Sequence, residues 1–281
     1  MRMAVATEHS KHVPIARGLV GGALLAAAVF SGCAQPIKNR AMLPDRYEFA
    51  REQLLFHSNV PLPAHHRLLA ELTARRVDLS QELMLPISDE PIHVFVFEDA
   101  QEFNTFVWTH WPDLPRRRAF FLENDTRLEV YTQWGDRVAE DLRHEITHAY
   151  LHAVVPKLPL WLDEGLAENF ELPRGCYGVN RPHVDLLIER LEQGTWQPDL
   201  RRLESLDDTT EMSQLDYAES WAWVHWLLAT TPARKELLRE YLRELHRNGW
   251  AHPLCERVGA MGNDPRQELV AHVRRVAASD R

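Results

Sequence analysis

Hydrophobic and polar positions repeat with different periods in the two halves of the chain. Early on, short β-branched and aromatic runs stand between turn residues: 53–58 (QLLFHS) and 92–97 (IHVFVF) read as strands. Segments 119–122 and 127–132 flank Glu123-Asn-Asp-Thr126, which reads as a hairpin turn. Between the first two strands, apolar positions 68, 69, 72, 77, 79 and 83 predict an amphipathic helix over 65–83. Asp99 is placed to cap another near 100–109. After Gly135 the helical period dominates. Helices are expected over 137–155, 160–171, 182–193, 213–230, 232–247 and 264–278, with Ser213 and Asp264 as caps. Pro156 and Pro159 end the first of these. Strands first and helices after predict an α+β fold, with a small mixed sheet and a mainly helical C-terminal part.

The first 32 residues follow another rule. Arg2, Lys11 and Arg17 precede an uncharged apolar run over 18–30. That run is shorter than the ~20 residues of a spanning helix and suits a secretory signal. It ends in Phe30-Ser31-Gly32-Cys33, which resembles a bacterial lipoprotein signal. The resemblance implies that Cys33 is lipidated and becomes the new N-terminus. With Ala34 rather than Asp next, it also implies the outer membrane, facing the periplasm. Residues 33–45 then read as a tether and 46–281 as the folded part, including a helical extension.

Composition narrows the partners. The 281 residues include 45% hydrophobic and 26% charged positions, a globular balance, and carry a net charge of −9. Without residues 1–32 the chain holds 29 bases and 40 acids, a net −11. Nucleic acid is excluded as a partner, because phosphate neutralisation needs a basic face. Besides Cys33 there are Cys176 and Cys255; a disulfide between them and two isolated thiols both fit the sequence.

The chemistry lies in Arg143-His-Glu-Ile-Thr-His-Ala-Tyr-Leu-His152. His144 and His148, at i and i+4, share one helix face and are close enough to hold one ion. Neutral imidazoles suit zinc, and Glu145 is turned aside to serve as a base. A catalytic zinc site needs a third protein ligand. Downstream stands Leu160-Trp-Leu-Asp-Glu-Gly-Leu-Ala-Glu-Asn-Phe-Glu171. H-E-x-x-H followed by W-L-x-E-G-x-A resembles the gluzincin metallopeptidases, which include thermolysin and the zinc aminopeptidases.

This resemblance implies a zincin-like fold and a zinc peptidase acting on a peptide or protein substrate. It makes Glu164 the third ligand, with fifteen residues separating it from His148. It makes Glu168, one turn further on, the acid that hydrogen-bonds His144. Glu145 would be the general base. Tyr217, in Asp216-Tyr-Ala-Glu-Ser-Trp, is the best-placed candidate to stabilise the oxyanion. His225 and Tyr177 are weaker candidates for the cleft. Substrate in zincins lies along an edge strand, here expected at 127–132. His152 lacks the metzincin spacing, since positions 151 and 154 are Leu and Val, and reads as a partly buried histidine behind the ligands. Two other readings stand beside the peptidase: a zincin-fold lipoprotein that binds peptides or aids envelope assembly without turnover, and a structural lipoprotein in which the motif is coincidental.

Overall fold

Ile92–Phe97 (β3) is apolar at nearly every position because it is covered on both sides: Ile92, Val94 and Val96 face one layer, Phe95 and Phe97 the other. Around it the computed structural model builds a five-stranded sheet and ten α-helices among the described residues, 42–63 and 66–279. The lipoprotein-like segment, Cys33 and most of the 33–45 tether lie outside those residues.

The first strands are Tyr47–Arg51 (β1) and Leu54–Ser58 (β2), joined by a two-residue turn in which Glu52 takes a φ of 52°. Arg67–Leu83 (α1) leads to β3, and Ala100–His110 (α2) follows. Ala119–Asn124 (β4) and Arg127–Gln133 (β5) form the expected hairpin. The order across the sheet is β1-β2-β3-β5-β4, with β2, β3 and β5 parallel and both outer strands antiparallel. The edge expected at 127–132 is therefore corrected. β5 is enclosed between β3 and β4, and the edge on that side is β4. The hairpin places both strands side by side, and the pairing of β5 with β3 decides which is outermost.

α2 covers one face of the sheet through Phe103, Phe106 and Val107, packed with Phe95, Phe97, Phe120 and Tyr131. Asp99 caps it, accepting from the amides of Gln101 and Glu102. The other face carries Phe56, Val94, Val130 and Phe121 into the main core with α1 and Val138–His152 (α3). In α3, Leu142, Ile146 and Ala149 are fully buried at the helical period.

The remaining elements are helical: Leu160–Phe170 (α4), Arg181–Glu192 (α5), Leu200–Leu203 (α6), Gln214–Ala229 (α7), Pro232–Asn248 (α8), Leu254–Gly259 (α9) and Pro265–Ala278 (α10). Ser213 and Asp216 form a reciprocal capping box on α7, and Asp264 caps α10. α7 and α4 pack closely because Gly165 has no side chain. A Cβ there would lie 2.6 Å from the Ser220 carbonyl oxygen and 2.8 Å from Val224 Cγ2. None of the helices among the described residues is long and apolar enough to cross a membrane.

Candidate metal centre

α3 is seated against the sheet by its apolar stripe, so its opposite side turns His144, Glu145 and His148 toward α4. The chain reverses over 153–159, and Pro159 starts α4 with Glu164 in its second turn. Three ligand atoms then converge. His144 Nε2 and His148 Nε2 are 3.2 Å apart, and Glu164 Oε2 lies 3.6 Å from the first and 3.7 Å from the second. Zinc–ligand bonds of about 2.0–2.2 Å in a tetrahedron require ligand atoms roughly 3.4 Å apart, so the donor set has the size of a zinc site.

The orienting hydrogen bonds agree with that chemistry. His148 Nδ1 lies 2.8 Å from Asp163 Oδ1, and His144 Nδ1 lies 2.9 Å from Glu171 Oε2. A carboxylate on each Nδ1 suits the tautomer that keeps a ring proton there, so that Nε2 is the nitrogen that faces the shared point and can give up its proton to a metal. The Glu145 carboxylate is buried, and its Oε2 has no hydrogen-bond partner among the described residues. A buried carboxylate oxygen of that kind has its hydrogen-bonding capacity unmet by the described residues.

The role expected for Glu168 is corrected by this geometry. Glu168 Oε2 lies 2.8 Å from His183 Nε2 and accepts from Asn180 Nδ2 at 3.0 Å. The acid on His144 is Glu171, held by the α4 C-terminus, where Arg143 Nε donates to the Glu171 carbonyl. Asn180 Nδ2 also reaches Glu171 Oε1 at 3.3 Å, so α5 ties the two acids together. His144, Glu168 and Glu171 form a second compact group, but these hydrogen bonds already account for it.

Asp163 carries no motif signal of its own, yet it bridges two histidines of the centre. It accepts from His148 on one oxygen and, at 2.9 Å, from His152 Nε2 on the other. His152 Nδ1 in turn meets Glu123 Oε2 at 2.6 Å, on edge strand β4. His152 thus stands behind the ligands, as its spacing suggested. The signal for Asp163 was its place beside Glu164 on a helix otherwise apolar at that end.

Burial alone would push Asp163 up, but the charges and hydrogen bonds of His148 and His152 hold it well below the usual carboxylate range. Burial would raise Glu164, but the charges of His148 and His144 and a hydrogen bond from His144 act to lower it. Burial would lower His144, yet its hydrogen bonds to Glu164 and Glu171 raise it well above the ordinary imidazole value. The pocket therefore favours positive charge at the point between these groups.

A cleft of about 570 Å³ opens over the centre, lined by Glu145, Glu164, Tyr217, Arg117 and Ala119, the first residue of β4. Tyr217, in the first turn of α7, has its hydroxyl pushed up by burial and then by the charge of Glu164, so it stays a hydrogen-bond donor. The structure thus brings Tyr217 to the cleft. His225 and Tyr177 lie elsewhere. His225 is buried against His272 on α10, with Nδ1 2.8 Å from Nε2 of His272, and both His225 and Tyr177 line a separate cavity beside α1. Cys176 and Cys255 are both free thiols. No family model matches this chain, and no curated protein matches it either.

Proposed function

We propose that the protein is a zinc-dependent peptidase of the bacterial cell envelope with a zincin-like fold. The observation that carries this reading is the convergence of His144 Nε2, His148 Nε2 and Glu164 Oε2 at 3.2–3.7 Å, beneath a cleft that Glu145 lines. The helix pair α3–α4 beside a mixed sheet with a free edge supports the zincin comparison. The apolar run and Cys33 support export and a lipid anchor.

Zinc held by the three ligands would supply Lewis acidity, polarising a scissile carbonyl and lowering the pKa of water. The protein's own groups do the rest. Glu145 takes a proton from the attacking water and returns it to the leaving amine. Tyr217 donates a hydrogen bond toward the oxygen on which negative charge develops. Asp163 and Glu171 hold the two imidazoles in the tautomer that directs Nε2 inward. The β4 edge gives an extended peptide backbone a strand to pair with, and Ala119 places one end of that strand in the cleft.

The test is elemental analysis joined to peptide cleavage. The purified chain should carry about one zinc, lose cleavage with chelator and regain it with zinc. Zinc retention without cleavage of any peptide in a broad library would favour a binding role. Absence of zinc would end the metal reading.

A further inference from the structure

Three consecutive arginines, Arg116, Arg117 and Arg118, lead into edge strand β4, and the structure gives each a different environment. Arg118 closes on Asp141 through both Nε and a terminal nitrogen, at 2.6–3.1 Å. Arg116 sits over the Trp108 ring, 5.3 Å from its centroid. Arg117 is half-buried on the cleft wall, where its titratable neighbours are the acids Glu145 and Glu164 and the neutral Tyr217 hydroxyl. Arg117 Nε donates to the Pro115 carbonyl at 3.4 Å, and the residue lines the same cleft as Glu145 and Glu164.

The position matters because β4 is the strand available to pair with a substrate backbone. Arg117 lies two residues before the first residue of that strand, at the end that enters the cleft. A peptide aligned on β4 with its scissile carbonyl over the histidine pair brings neighbouring substituents past the guanidinium. Arginine presents a planar fork of donors that matches a carboxylate in two bonds. A lysine or arginine on the substrate would meet like charge there. Burial pushes the Arg117 guanidinium down despite the acids nearby, so its charge is partly desolvated.

We propose that Arg117 is a specificity-determining residue and that the cleft selects peptides with a carboxylate next to the scissile bond. The carboxylate comes from an Asp or Glu side chain or from a free C-terminus. This inference rests on the zinc peptidase reading.

The test uses the full chain loaded with zinc and three peptide hydroxamates, with binding measured by calorimetry. One probe is neutral, carrying Gln and a C-terminal amide. The second replaces Gln with Glu, and the third replaces the amide with a free carboxylate. At least one carboxylate probe should bind about tenfold or more tighter than the neutral one, and which one does so identifies the source. Arg117→Gln should bind all three alike, and Arg117→Lys should recover part of the preference. Zinc content of each variant reports that the site is intact. No preference in the wild type, or one that survives in Arg117→Gln, overturns the inference and leaves the peptidase reading standing. Failure of the neutral hydroxamate to bind the zinc-loaded chain removes the reading and the inference together.

Discussion

His148 Nδ1 and Asp163 Oδ1 lie 2.8 Å apart with both side chains fully buried, which makes Asp163 the group that aims one imidazole at the point where His144 Nε2 and Glu164 Oε2 converge. Asp163→Asn preserves the shape but weakens the acceptor and offers an N–H to one of two histidines. Zinc affinity should fall about 10- to 100-fold, measured by competition with a chromophoric chelator. Unchanged affinity would mean that His148 is oriented by packing alone.

The two acids at the end of α4 should separate in the same assay. Glu171 holds His144 at 2.9 Å, whereas Glu168 serves His183 and Asn180. Glu171→Gln should raise the zinc dissociation constant about 10-fold or more, and Glu168→Gln much less. Glu168→Gln should instead lower the melting temperature, because it loosens the join between α4 and α5. Equal effects on zinc would contradict the assignment.

Gly165 is required by a close approach between helices. A methyl group there meets the Ser220 carbonyl at 2.6 Å and Val224 Cγ2 at 2.8 Å, and main chain cannot yield as a side chain can. Gly165→Ala should cost about 1–3 kcal/mol in denaturant unfolding. It should also lower cleavage more than zinc content, since α7 carries Tyr217 and α4 carries Glu164.

The buried pair His225–His272 makes stability depend on pH. Burial, then the charges of His225, Arg275 and Arg234, hold His272 down at about 3, and burial lowers His225 too, against its hydrogen bond to the Tyr177 carbonyl. The unfolded chain therefore takes up protons first as pH falls. Stability from the neutral pair is complete above pH about 6.5 and is lost toward pH 3, at up to about 1.4 kcal/mol per pH unit for each proton. His272→Gln should flatten the slope between pH 6.5 and 4.5 by about one proton in urea titrations. Equal slopes would show that the pair is not the source.

The parts of the fold that declare themselves locally were legible in the sequence. IHVFVF, the α3 pattern and the caps Asp99, Ser213 and Asp264 each depend on their own neighbours, and the structure has them where the pattern put them. β1 was not legible: it is an edge strand with four of its five residues exposed, so it lacks alternation, and its turn at Glu52 lacks the usual Asn-Gly signal. The short helices α6 and α9 span too few residues for a period to show. Within the site, the convergence of His144, His148 and Glu164 follows from helix geometry and one chain reversal. The orienting acids do not. Glu168 and Glu171 are one turn apart on α4 and its cap, and the choice between them depends on His183 and Asn180, which arrive from α5. The substrate edge likewise depends on which hairpin strand pairs with β3, a long-range choice that strand composition does not encode.

In the proposed reaction Glu145 transfers a proton beside a metal held by three other side chains. This is tested most directly by measuring zinc content and peptide cleavage together in the wild type and in Glu145→Gln. Both should hold about one zinc per chain, with cleavage in the variant lower by a factor of about 100 to 10,000. Cleavage by Glu145→Gln at the wild-type rate, or a wild-type chain that holds no zinc, would contradict it.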